Sequence, residues 1–385
     1  SLSNIKKEGT PVSKKMTLMV GIASAALCAS VVATLPAAAA TKSVWTTATS
    51  AKAGGGLKVL AAACRKEGKM NIIADPHDWA NYGEIITGFA KKYKVKMNEA
   101  NPNGSSQDEI NAANQLRGTT RAPDAFDLGS AVAYANLNSF GAYKVANFND
   151  IPAAFKDKNG YLTKDYGGFM AIGYDSSLGT ITSINDLLKP AFQGKVALNG
   201  DPTKANAGLM GVFLASVATG GTINDISKGV AFFKQLKDVG NFINVDPSPA
   251  TIASGQTPVV FDWDYNQAAT VKELAAKGVT WKVFIPAGHL IGAYYNQAIN
   301  INAPHPACAR QWMEYLYSPA GQNAWLKGGS RPVLAEVMAK KGTINKAAYA
   351  ALGKVVGTPL IPSVDQAKAA STYLLANWAS AVGTR

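Results

Sequence analysis

Two hydrophobic rhythms alternate along this chain. Leu57–Glu67 reads as a short amphipathic helix that stops at Gly68, and residues 70–74 (MNIIA) form an apolar run of the buried-strand type. The polar and aromatic stretch 75–82 (DPHDWANY) predicts a loop. Ile85, Ile86, Phe89 and Tyr93 then share one face of a helix, and KVKMNEA after it is strand-like. SSQDEINAANQL predicts a capped helix and AFDLG another strand. A recurring strand, loop, helix and strand predicts an α/β class with a largely parallel sheet.

The middle of the chain repeats the scheme. Residues 169–174, 195–198, 257–261, 280–285 and 293–301 read as strands; 208–218, 226–239 and 273–277 read as helices, with a short one at 183–188. A helix runs from Pro304 through Leu316, and the C-terminus is mainly helical. No repeat of fixed period is present. Residues 41–56 (TKSVWTTATSAKAGGG) lack apolar periodicity and are expected to be a flexible tether.

The N-terminus bears on compartment. Lys14 and Lys15 precede Met16, an apolar stretch covers 18–35, and Pro36 with an alanine run follows at 37–40. This is the layout of a cleavable signal peptide, so residues 1–40 are expected to be leader plus an extension upstream of Met16. The competing reading is a membrane anchor, but the stretch is rich in Ala, Ser and Gly, barely long enough to span, and ends in an A-x-A site. Leu27 before Cys28 argues against lipidation. A periplasmic location is expected.

Length and charge narrow the class. The 385 residues suffice for two ordinary domains, and 47% hydrophobic content excludes wholesale disorder. The formal charge of +13 is spread along the chain without a basic block, which argues against nucleic acid. Beyond the leader only Cys64 and Cys308 remain. In an oxidising compartment they can pair, although nothing in the sequence shows how close they lie.

Catalytic signatures are missing. There is no G-x-S-x-G, H-E-x-x-H, P-loop or G-x-G-x-x-G, and the 3 histidines leave most His-based schemes short of parts. Asp75, His77 and Asp78 in DPHDW could hold a metal in principle; a plain loop histidine beside a cleft is the simpler reading. His289 and His305 fall at element ends, where packing and capping are the default. The chain is therefore read as a non-enzyme without cofactor or metal.

Several loops carry binding chemistry instead. Ser105 and Ser106 open one predicted helix, and the segment with Asp201 and Thr203 opens another; such ends offer free N–H groups to an anion, or are simple caps. Asp262, Trp263, Asp264 and Tyr265 follow an apolar strand, where carboxylates and aromatic faces could hold an ammonium group. Asp75, Asp78, Trp79 and Tyr82 offer the same combination in the first loop. Tyr294 and Tyr295 could also face a cleft, although strand packing would account for one of them.

Ordered segments now point to a family. GEIITGFAKKYKVKMNEANPNGSSQDE, APDAFDLG, INDLLKPAFQGKVALNGDP, SGQTPVVFDWDY and APHPACARQWMEYLYSPAGQNAWLKGG together resemble a periplasmic solute-binding protein of an ABC importer, in the extracellular solute-binding protein family 1 group of iron, polyamine and aminoethylphosphonate binders. The resemblance covers most of residues 57–385. It implies a type II-like pair of α/β lobes joined by two crossing segments, near 169–174 and 294–301, with the ligand between them. Lobe 1 would comprise 57–170 and 296–385, the C-terminal helices returning to it, and lobe 2 would comprise 171–295.

The ligand implied is a small charged solute. Ferric-binding relatives carry adjacent tyrosines in the second lobe, where this chain has Trp263-Asp264-Tyr265, so iron is disfavoured. An amine-bearing solute such as a polyamine or aminophosphonate fits the aromatic and carboxylate loops together with the helix starts. ABC permease and ATPase subunits would be the partners of a monomer. The alternatives are an iron or other anion importer, a secreted hydrolase using Asp75, His77 and Asp78, and a sensor subunit presenting ligand to a receptor kinase.

Overall fold

Strands and helices alternate through the first third of the molecule, and local chemistry explains where each one stops. The computed structural model describes residues 41–352, 357 and 359–385; the predicted leader and Cys28 lie outside them. In chain order the strands are β1 (Lys69–Ile73), β2 (Lys96–Ala100), β3 (Ala125–Leu128), β4 (Phe140–Gly141), β5 (Thr163–Asp175), β6 (Val196–Leu198), β7 (Val259–Trp263), β8 (Trp281–Phe284), β9 (Leu290–Asn300), β10 (Arg331–Pro332) and β11 (Pro359–Leu360). The α-helices are α1 (Leu57–Glu67), α2 (Tyr82–Tyr93), α3 (Ser106–Gln115), α4 (Ser130–Ala135), α5 (Asn206–Ala218), α6 (Ser227–Asp238), α7 (Pro249–Ala253), α8 (Asp264–Ala275), α9 (Pro306–Leu316), α10 (Pro319–Lys327), α11 (Ala335–Lys341), α12 (Lys346–Ala350) and α13 (Val364–Val382).

Leu60 and Cys64, one turn apart, are the buried residues of α1, and Gly68 ends it at φ 69°, a conformation a side chain would strain. A capping box starts α3: Ser105 Oγ accepts from the Asp108 N–H, and the Asp108 carboxylate accepts from the Ser105 N–H. Residues 206–217 of α5 are all buried, so this helix is a core element and not an amphipathic surface one.

β5 and β9 organise the sheet. They pair antiparallel with each other. The first part of β5 also pairs with β10, and its last part pairs with β7 and β8. β9 takes β11 beside its start and β3 and β4 beside its end. Two long strands therefore run through one nine-stranded sheet that joins both halves of the chain.

The sheet is not largely parallel. Among the described residues, strands pair parallel at β1–β2, β6–β7 and β9–β11, and two isolated bridges, Ser50 with Lys144 and Val196 with Phe242, are parallel too. Strand–helix alternation predicts layers, but β5 and β9 run in opposite directions and impose antiparallel registers on most of their neighbours. The segment 41–56 is not a free tether either. Trp45 is only 2% exposed, and the Thr46 and Ala48 carbonyls accept from the Arg310 guanidinium. One indole supplies enough apolar surface to hold an otherwise polar run.

The ends of the chain close the molecule. A disulfide between Cys64 and Cys308 ties α1 to α9. α10 packs beside α2, whereas α13 lies on α6, with Trp378 against Phe233 and Phe242. α13 also packs against α4 of the expected first lobe, so it bridges elements of both expected lobes. Among the described residues no helix is long and apolar enough to cross a membrane.

Candidate functional site

A cavity of about 570 Å³ opens where several elements end together. The loop after β1 brings Asp78 and Trp79, the start of α3 brings Ser105, Ser106, Asp108 and Glu109, and β3 brings Asp127. From the other half come Asn199 and Asp201 after β6, Asn206 at the start of α5, Asp262 on β7 and Asn266, Gln267 and Glu273 on α8. Tyr295 on β9 lines it as well.

Its charge runs against that of the chain. Eight lining side chains are carboxylates (Asp78, Asp108, Glu109, Asp127, Asp201, Asp246, Asp262 and Glu273) and two are cations, Lys204 and Arg385. Arg385 is already engaged by Asp246. Only the exposed Lys204 is left beside the rest, so the lining is rich in acids and poor in cations.

The deepest carboxylates are held by neutral donors. Asp127 Oδ2 accepts from the Tyr82 hydroxyl at 2.6 Å and the Tyr166 hydroxyl at 2.9 Å, and its carboxyl shares a hydrogen bond with that of Asp165. Asp75, buried just behind the lining, has an unpartnered Oδ1. Asp262 accepts from Asn199, Asn266 and Gln267 amides. Burial, reinforced by the charges of Asp127 and Glu99, pushes the Asp75 carboxyl well above the usual range. Burial likewise raises Glu109, with Asp75 and Asp127 adding to it, and raises Asp127 and Asp262 against their hydrogen bonds. Asp165, beside Asp127, is pushed well up by burial and then by the Asp127 charge; Gln297 donates to its Oδ2 at 2.9 Å.

An aromatic wall stands beneath these acids. Trp79 Nε1 donates to the Tyr166 hydroxyl at 2.9 Å, and Trp263 Nε1 donates to the Tyr295 hydroxyl at 3.0 Å. Trp79 meets the Tyr295 ring edge-on at 5.9 Å, and Trp263 stacks on Tyr265 at 6.1 Å. Trp79 and Tyr295 reach the cavity; Trp263 and Tyr265 are buried behind it.

The candidates read from the sequence therefore divide. Asp78, Trp79, Ser105, Ser106, Asp201, Asp262 and Tyr295 line the cavity, and Asp75 lies directly behind it. His77 turns to the surface, its Nε2 2.6 Å from Glu99 Oε1. Thr203 is used within its own turn, donating from Oγ1 to Asp201 Oδ1 at 2.7 Å. The 262–265 run splits because β7 ends at Trp263 and α8 begins at Asp264. Asp264 then accepts from the Phe169 N–H, and burial pushes its carboxyl up to about 6. Tyr294 and Tyr295 alternate across β9, so Tyr294 faces a different cavity, with its ring 4.7 Å from Phe155.

Sequence reasoning missed Glu109, Asp127, Asn199, Asp246, Gln267 and Glu273. Asp127 did carry a signal, since a carboxylate inside the apolar strand AFDLG must find partners or a ligand. Glu109 and Gln267 sit among polar helix residues and carried none. Among the described residues no group of three or more His, Cys, Asp or Glu side chains is arranged to hold a metal ion.

An α/β protein whose two halves share crossing strands, with an acid-lined cavity between their loops, is built to enclose a small solute. Residues 125–354 match the family described as bacterial extracellular solute-binding protein, and the chain belongs to that family. By sequence, no curated protein matches it. Solved structures agree on the fold. A periplasmic thiamin binding protein superposes with a TM-score of 0.61 at 17% identity, over 82% of this chain and 96% of its own. The ferric binding protein from Campylobacter jejuni does so at 0.58 and 16%, over 81% and 99%. A periplasmic binding protein from Actinobacillus pleuropneumoniae with fructose-6-phosphate bound gives 0.58 and 17%, over 81% and 98%. The fold is thus that of two-domain periplasmic binding proteins.

Proposed function

We propose that this protein captures a small cationic, amine-bearing solute outside the cytoplasm and delivers it to the permease and ATPase subunits of an ABC importer. The observation that carries this reading is the excess of eight carboxylates over two cations around one cavity. An ammonium group seated beside Asp127 and Asp262 on the lining would favour the ionised forms that burial disfavours. Trp79 and Tyr295 would add aromatic faces, and cation–π contact contributes about 0.5–2 kcal/mol.

The helix starts favour the same reading over an anion. The first turn of α3 is served by Asp108, and the turn before α5 by Asp201, so the protein's own carboxylates occupy the ends that would attract phosphate or phosphonate. Iron is disfavoured because Tyr294 and Tyr295 lie on opposite faces of β9. A hydrolase built on Asp75, His77 and Asp78 loses its histidine to the surface pair with Glu99. Closure would follow from a ligand touching both halves and stabilising the closed state over the open one. Export by cleavage of residues 1–40, a periplasmic location and a monomeric state complete the proposal.

The test is calorimetric titration of the protein with putrescine, spermidine, thiamine, aminoethylphosphonate, phosphate and ferric citrate. Saturable binding of a cationic amine that Asp127→Asn weakens supports the reading. Binding confined to phosphate or ferric citrate overturns it.

A further inference from the structure

A second cavity, of about 300 Å³, lies on the opposite face of β9 from the first, and Asn206 stands in the wall between them. Its chemistry is reversed. No carboxylate lines it; the polar side chains there include Lys164, Ser130, Tyr134 and Tyr294. Lys164 lies on β5 directly opposite Asn296 of β9, in one of the two long strands that join the halves.

These groups are short of acceptors. Lys164 is half-buried, and among the described residues no hydrogen bond or ion pair reaches its ammonium. Loss of water alone pushes its pKa down, with no carboxylate near enough to oppose it. Asn296 Nδ2 donates to Ser130 Oγ at 3.1 Å, which leaves the serine hydroxyl hydrogen free to point into the chamber. The phenols of Tyr134 and Tyr294 add two more O–H donors. The start of the long helix α13 also borders the space, but its first turn is closed by the Ser363–Gln366 capping box and adds no free donor.

We propose that this chamber is a second binding site, for a small oxyanion of the phosphate or carboxylate class, held by Lys164 with the Ser130, Tyr134 and Tyr294 hydroxyls. Asp157 lies near Tyr134, and Glu336 and Arg331 near Tyr294, but no carboxylate acts on Lys164 or lines the chamber. A lysine and hydroxyls so placed are satisfied by an acceptor-rich anion, and the charge-assisted bonds would be the strong ones. The site shares none of the carboxylates on which the amine reading rests, so either can stand without the other.

The experiment is titration of phosphate, sulfate and succinate into the full chain and its Lys164→Gln, Lys164→Met and Lys164→Arg variants, with thermal unfolding to verify each fold. One saturable site is expected for phosphate or succinate, the better of the two identifying tetrahedral or planar recognition. Lys164→Gln and Lys164→Met should weaken it at least tenfold, and Lys164→Arg should keep it within about threefold. Putrescine titrated separately should bind Lys164→Gln as it binds the unaltered chain. Equal anion affinity in the unaltered chain and Lys164→Gln, loss caused by Lys204→Gln instead, or the absence of any saturable anion binding would overturn the proposal.

Discussion

Asp127 accepts a hydrogen bond from the Tyr82 hydroxyl at 2.6 Å, and its carboxyl shares another with the carboxyl of Asp165. Tyrosines orient the acid without cancelling its charge, because a phenol donates a proton but brings no cation. The acid is thereby fixed in place by uncharged partners, and a cationic ligand would favour the ionised form that burial disfavours.

Asp127→Asn should therefore weaken amine binding more than it harms the fold. A hydrogen bond to a charged group contributes about 1.5–3 kcal/mol, which is roughly a ten- to hundredfold loss in affinity. Calorimetry against the best amine, paired with a melting curve, measures both effects.

Affinity for a cation should rise with pH. Burial raises Asp75, Glu109 and Asp165 in the free protein, and a bound cation would favour their ionised forms, so protons leave as the ligand enters. Titrations in two buffers of different ionisation enthalpy should show proton release, and affinity should increase from pH 5 to pH 8. Equal affinity at both ends would contradict it.

The ligand-free protein should show the opposite trend in stability. Asp264 is raised to about 6 by burial, against 3.8 for an ordinary aspartate, so the folded state holds its proton where the unfolded chain has lost it. Stability from this group is present below the unfolded value and is lost as pH rises through about 4 to 6. His305 acts in the same sense, since its hydrogen bond to Asp124 raises its pKa and favours the charged form. The melting temperature without ligand should fall between pH 5 and pH 8, and His305→Gln should flatten the upper part of that fall.

The disulfide closes a very long loop. Cys64 and Cys308 are 244 residues apart, and cross-links typically stabilise by about 2–5 kcal/mol. Cys308→Ser, or reduction of the native protein, should lower the denaturant midpoint by a corresponding amount while amine affinity in the folded protein holds.

Gly168 sits on β5 where the chain passes between its halves. A Cβ there would lie 2.5 Å from Tyr265 Cε1 and 2.8 Å from Asp264 Oδ1. Gly168→Ala should cost about 1–3 kcal/mol by overpacking. Chemical denaturation would detect it, and an unchanged midpoint would mean that Tyr265 and Asp264 can shift freely.

Much of this molecule was legible in one dimension. Helix α1 has the bounds its amphipathic spacing and Gly68 predict, and Ser105 with Asp108 forms the cap that SSQD announces. Local signals of this kind depend on residues within a turn or two of each other. The loops carrying Trp79 and Asp262 were also recognisable, because aromatic and carboxylate groups beside strand ends are chemically conspicuous.

Tertiary structure decided the rest. Whether a side chain faces the cavity depends on strand parity and on where a helix starts: Tyr294 and Tyr295 part company across β9, and Asp262 and Asp264 separate where β7 gives way to α8. The acid-rich lining of the cavity is assembled from residues up to 195 positions apart in sequence, Asp78 and Glu273 at the extremes. Charge in a cleft is a sum over space, and a chain with a formal charge of +13 concealed it. The sequence by itself determined the class, the elements and the family likeness, since these follow from local spacing. Only the folded chain decided which acids share one cavity, and through that what chemistry of solute it holds.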